Sequence, residues 1–105
     1  MMMNYETFSC VPVDESCQQV GMPTYDPQKA RAECRAYVNQ LIRQFGNPPD
    51  GAVLTVKSFP HDFGNYMEVC GIFDEGIEEA VNYVWDIEAN LPERWDDEAK
   101  KELGL

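Results

Sequence analysis

The period of apolar positions changes four times along this chain, and each change marks an element. Over Tyr5 to Val11 it is two: Phe8 and Cys10 fall on one side, Thr7 and Ser9 on the other, as in a short strand. Pro12 to Tyr25 has no period; two prolines, a glycine and mixed polar residues read as a long connection. Asp26-Pro27 then supplies an N-cap and a proline at the first helical position. Behind them Ala30, Cys34, Tyr37, Val38, Leu41 and Phe45 recur at helical spacing. Gly46 and the run Asn47-Pro48-Pro49-Asp50-Gly51 forbid continuation, so the pattern predicts a helix over 27–45.

Ala52 to Phe59 is β-branched and partly alternating, hence a strand, and Tyr66 to Phe73 is its return. Between them Pro60 to Asn65 carries turn chemistry, which predicts a hairpin over 52–73 with a connection longer than two residues. Asp74 is placed to cap a second helix with acids crowded into its first turn, where the macrodipole favours them. Its apolar stripe is Ile77, Ala80, Val81, Val84, Ile87 and Leu91, and Pro92 stops it. Asp96-Asp97-Glu98 opens a last short helix that ends at Gly104, so acidic helices fill 75–103.

The order β-α-β-β-α, plus a short C-terminal helix, belongs to the α+β class. A crossover through the first helix followed by a hairpin predicts one three-stranded sheet with two helices on one face. The other face is then left uncovered unless a partner or a second copy hides it.

With 105 residues the chain holds one domain, 1–105, and 44% hydrophobic residues are enough for a modest core. No apolar run approaches a membrane span. The start, Met1 to Glu6, has no basic segment, and no apolar one follows, so the reading favours a cytoplasmic protein. Cys10, Cys17, Cys34 and Cys70 contain no CxxC pair, which argues against a zinc knuckle or a redox motif and for reduced thiols that pack as small hydrophobes.

Charge changes the picture most. Nineteen acids against eight bases give net −11, which argues against direct nucleic-acid binding and against docking on anionic lipid. The charge is uneven: residues 1–73 carry 8 acids and 5 bases, net −3, and residues 74–105 carry 11 acids and 3 bases, net −8. Glu75, Glu79, Asn82 and Asp86 share one face of the second helix, Glu78 lies beside that row, and Asp96, Asp97 and Glu98 extend it. Such a row is either a solvated face or a mimic of spaced phosphates that steers toward a basic surface. The first helix is the reverse, with Lys29, Arg31, Arg35 and Arg43 against Glu33, and it could meet the acidic face of a second copy in a homodimer.

Catalytic chemistry is thin. His61, the one histidine, stands beside Asp62, but neighbours on an extended segment point apart, and no nucleophile motif is present. A small enzyme would need Cys10, Cys17 or Asp62 to converge on His61. No spacing suggests a metal or cofactor site. The segment His61, Asp62 to Tyr66 reads instead as a turn or a second contact for a partner. Trp85 lies off the stripe of its helix, and Trp95 lies between Arg94 and two acids; each either packs the C-terminal turn or anchors a partner.

Gly46-Asn47-Pro48-Pro49-Asp50-Gly51-Ala52, Pro60-His61-Asp62-Phe63-Gly64 and Tyr66-Met67-Glu68-Val69 resemble segments of small acidic proteins of bacteriophages and mobile elements. So do Glu78-Glu79-Ala80-Val81 and Trp95-Asp96-Asp97-Glu98-Ala99. The resemblance spans a little over half the chain. It implies a small accessory protein inside a bacterial cell and carries no catalytic residues with it. In that setting acidic one-domain proteins often inhibit nucleic-acid-binding defence complexes, anti-CRISPR proteins among them, an analogy of size, charge and context.

The expectation is therefore a non-enzymatic interaction module. Glu75, Glu78, Glu79, Asp86, Asp96, Asp97 and Glu98 would engage a basic surface of a host protein or nucleoprotein complex, with His61, Asp62, Tyr66 and Trp95 as further contacts. The alternative is a structural or regulatory homodimer without nucleic-acid mimicry.

Overall fold

The computed structural model describes residues 3–9, 27–61 and 64–105, with the backbone alone at 9, 27, 58–61 and 64–66. The elements run β1 (Met3–Ser9), α1 (Pro27–Phe45), β2 (Ala52–His61), β3 (Gly64–Asp74), α2 (Glu78–Ala89) and α3 (Asp97–Leu103). They form an α+β fold with one antiparallel sheet in the order β1-β3-β2. The central strand, β3, is thus the last to be made, and α1 carries the chain from one sheet edge to the other.

Register divides the sheet into two faces. Met67, Val69, Gly71 and Phe73 of β3 point to the helices, level with Ala52, Leu54 and Val56 of β2. On β1 the pairing slips between Thr7 and Ser9, and the extra residue at this bulge is Phe8, whose ring enters the core. Gly71 makes room for it: a Cβ there would stand 2.8 Å from Phe8 Cζ and 3.2 Å from Val84 Cγ2. α1 lays Ala30, Cys34, Tyr37 and Leu41 on this face, and α2 adds Ala80, Val84 and Ile87 to the same cluster. The hydroxyl of Tyr83 donates to the Gly46 carbonyl (2.7 Å), tying α2 to the end of α1.

The expected helix over 27–45 is present to the residue, and Gly46 and Gly104 end their helices as anticipated. Three expectations need correction. Pairing continues through Pro60↔Asn65 to His61↔Gly64, so the hairpin connection is the two residues 62 and 63, not a longer one. Pro60 tolerates this because β2 is an edge strand, where a missing N–H breaks no ladder on the outer side. α2 starts at Glu78, after an Ile77 that makes no side-chain cap. Asp74 instead accepts from the Gly76 N–H (2.9 Å), closing the turn that separates strand from helix. β1 begins at Met3, two residues earlier than its alternation suggested. Val11, the Pro12–Tyr25 connection and the Asp26 cap lie outside the described residues.

The face of the sheet away from the helices has no covering element among the described residues. Tyr5 and Val53, each more than half exposed, flank Ile72 there, with Met3 beside them. Lys57 reaches across β3 to place its ammonium 3.7 Å above the Tyr5 ring, and Thr7 donates to Glu68 (3.0 Å). Cys70, central on this face, is sealed from solvent. Burial pushes its thiol up, and it pushes the Cys34 thiol on the core side up to about 11, so both are unreactive packing groups.

Candidate functional site

α2 is amphipathic, and its solvent side is set by a turn of 100° per residue. Ala80, Val84 and Ile87 are buried, which leaves Glu78, Glu79, Asn82, Trp85 and Asp86 outside. Trp85 keeps 47% of its surface exposed while its inner edge rests on Phe73, ring centroids 6.4 Å apart in a T-shaped contact. The indole is therefore held in place by the core, not loose on the surface. Glu78, Glu79 and Asp86 form no salt bridge among the described residues. Glu78 and Glu79 occupy the first turn, where the helix N-terminus favours negative charge. Glu75, in the turn before α2, accepts a hydrogen bond from the Asn4 amide and so joins the edge of this face to β1.

The acids of the last helix are used differently. Asp96 caps α3, accepting from the Ala99 N–H (2.8 Å), and takes both a 2.6 Å and a 3.1 Å bond from the Arg43 guanidinium on α1. That pairing holds its carboxyl below the usual carboxylate range. Next to it the buried Gln40 amide clamps the approach to α3: its nitrogen donates to the Arg94 carbonyl (2.8 Å) and its oxygen accepts from the Asp96 N–H (3.1 Å). Glu98 pairs with Lys101 at 3.6 Å, and Glu102 accepts from Asn39 (2.9 Å). Asp97 is exposed at the start of α3.

Trp95 corrects an expectation: it is 7% exposed and packed edge-on against Tyr37 at 6.3 Å, so its ring is core, not a surface anchor. Asp96 likewise is a cap and an ion-pair partner before it is a free carboxylate. The structure brings together Glu78, Glu79 and Asp86 on one face with Glu75 at its edge, and sets Asp96, Asp97 and Glu98 on a separate helix. Asp62 lies outside the described residues, as do the side chains of His61 and Tyr66, together with Cys10 and Cys17. Convergence on His61 thus has no described geometry. Among the described residues no group of three or more His, Cys, Asp or Glu is placed to hold a metal ion, and no helix is long and apolar enough to cross a membrane.

Trp85, which the sequence left between packing and anchoring and outside the expected contacts, is the tryptophan that stays exposed on this face. Its signal was its offset from the apolar stripe: a large ring displaced from the buried row must either find a second core or face solvent. No family model, curated protein or solved structure matches this chain.

Proposed function

We propose that the chain is a non-enzymatic interaction module whose α2 face docks on a basic protein surface. The observation that carries this is Trp85, an indole braced from below by Phe73 and half exposed among Glu78, Asn82 and Asp86. Anchors of strong interfaces are commonly such pre-positioned aromatics, while surrounding charge sets encounter rate and orientation. Carboxylates along a rigid helix present negative charge at fixed intervals to a groove built for phosphates. Occupation of that groove would exclude nucleic acid by bulk and by charge.

The finer reading follows from the resemblance to small phage and mobile-element proteins. It makes the chain an inhibitor of a host nucleic-acid-binding defence complex in the bacterial cytoplasm, of the anti-CRISPR or DNA-mimic kind. Expression of the tagged chain in a phage-susceptible bacterium, with capture at low salt and elution along a salt gradient, tests both levels. A stoichiometric nucleic-acid-binding complex released by salt supports the finer reading. A partner that stays bound across the gradient refutes the electrostatic mechanism.

A second reading rests on the sheet face away from the helices, where Met3, Tyr5 and Val53 are each more than half exposed. A homodimer would hide them. Sedimentation separates the two readings: a salt-insensitive dimer of the pure chain that captures nothing favours the homodimer.

A further inference from the structure

α1 sits inboard of the sheet edge and leaves a groove of about 520 Å³ along β2. Its floor is apolar: Leu54 and Val56, the half-buried inner-face residues of β2, with Met67 and, from the helix, Val38. Its rim is cationic. Arg31 and Arg35, both exposed and one helical turn apart, lie on the flank of α1 that overlooks β2, and neither has an ion-pair partner among the described residues. In a chain of net −11 this is an inverted site, two guanidiniums with no described counter-charge beside the outer edge of the sheet. Among the described residues β2 pairs with β3 alone, and no described strand occupies its outer edge.

We infer that this groove binds an extended acidic peptide segment by strand addition to β2. This surface is separate from the α2 face and does not depend on the reading of that face. A strand added at the edge directs alternate side chains into the groove, and main-chain hydrogen bonds supply register. The spacing fits. Residues four apart on a helix rise about 6 Å along its axis, and alternate residues on a strand are about 6.6 Å apart. Two acids at alternate positions therefore match Arg31 and Arg35, each able to take a carboxylate bidentately. An apolar residue at the next inward position meets Leu54, Val56 and Val38. A second copy of this chain is the poorer occupant: β2 paired with β2 across a twofold would bring both copies' Arg31 and Arg35 toward the same seam, a like-charge arrangement. A small organic anion would satisfy the guanidiniums but leave the strand edge unused.

The test is titration of the full chain with the labelled peptide GTETETVTG-amide, followed by backbone amide shifts and fluorescence anisotropy at near-physiological salt. Saturable binding is expected, with shifts confined to residues 53–57 and to α1 around Arg31 and Arg35. The R31E/R35E variant should weaken it at least about tenfold, as loss of paired charge at an interface does. Because both arginines are exposed, that variant is expected to fold, and its circular dichroism serves as the check. Methylation of alternate peptide nitrogens should abolish binding in one phase of the alternation and spare it in the other. The inference is overturned by any of four results: no saturation, equal binding of the lysine counterpart GTKTKTVTG-amide, equal binding by R31E/R35E, or insensitivity to N-methylation in both phases. Octanoate that saturates the arginines while the peptide leaves the β2 amides unmoved would also overturn it. So would a dimer whose formation shifts those same amides. The α2 variant W85A should bind this peptide like the parent, so failure here and failure of the α2 reading are distinguishable.

Discussion

Two acidic helices lie next to each other in the last third of the chain, and they use their carboxylates in opposite ways. On α3 most of the acids face partners: Asp96 is bound by Arg43 and caps the helix, Glu98 meets Lys101, and Glu102 meets Asn39, while Asp97 is exposed. On α2, Glu78, Glu79 and Asp86 face solvent around an exposed indole without a cation among the described residues. The tryptophans divide the same way, Trp95 sunk against Tyr37 and Trp85 braced outward on Phe73. What separates them is the element opposite. α3 packs on the stretch of α1 that carries Asn39, Gln40 and Arg43, which bind its cap and its last turn; α2 packs its apolar stripe on the sheet, and among the described residues no element lies beyond its outer side. A uniform run of negative charge in sequence is thus two surfaces, one holding the fold and one available.

The comparison breaks first at the tryptophans. Trp95→Ala should empty a buried site and cost about 3–5 kcal/mol of stability, read as a lowered urea midpoint. Trp85→Ala should leave stability within about 1 kcal/mol, since half the ring is already wet. It should cost about 2 kcal/mol or more of partner binding, roughly thirtyfold, as anchor residues do. Equal loss of stability in the two variants would erase the distinction.

Gly71→Ala probes the core that supports Trp85. Its methyl would meet Phe8 and Val84, and overpacking of this kind costs about 1–3 kcal/mol, measured by thermal or denaturant unfolding. Asp96→Ala removes a cap and the Arg43 pair and should cost about 1–2 kcal/mol. Because its carboxyl is depressed in the fold, that contribution is present above the ordinary carboxylate range and fades as pH falls. The variant should therefore lose less stability than the parent between neutral and acid pH.

At the other extreme of pH, burial pushes Tyr37 up to about 12 and Cys34 up to about 11, with the charges of Glu88 and Glu33 adding to the effect. Both groups stabilise the fold while neutral. Their contribution is whole below about pH 9 and is lost as pH rises through the ordinary thiol and phenol values toward 11–12. Stability measured from pH 8 to 11.5 should fall, and less steeply in Cys34→Ala relative to its own neutral value. Glu79→Lys/Asp86→Lys should change stability by about 1 kcal/mol or less, mostly through the reversed charge in the first turn of α2, and here the reading lies in binding: slower association and a flatter salt dependence.

How far these surfaces were legible in sequence depended on whether the deciding partner was near in the chain. α1 was legible because its start, stripe and stop are all local. The three-stranded sheet followed from element order. The strand ends were not, since Pro60 and Gly64 carry the same turn chemistry whether they close a loop or end an edge hairpin. Asp74 and Asp96 are both acids before a helix, yet one closes a turn with Gly76 and the other caps α3; the difference is the backbone between strand and helix. That Asp96 is consumed depends on Arg43, 53 residues upstream, and no periodicity carries that information. The arginine-rimmed groove was visible only as a basic helix, because its floor comes from another element.

The central claim is that α2 is the available surface and α3 the structural one. Its most direct test is a parallel capture from a phage-susceptible bacterium with the parent, W85A/E79K/D86K, and D97K/E98K. Each should first be shown to unfold cooperatively and to keep the parent's stability to within about 1–2 kcal/mol. The account predicts a salt-released partner retained by the parent and by the α3 variant and lost from the α2 variant. A partner retained by the α2 variant, or lost only from the α3 variant, would contradict it.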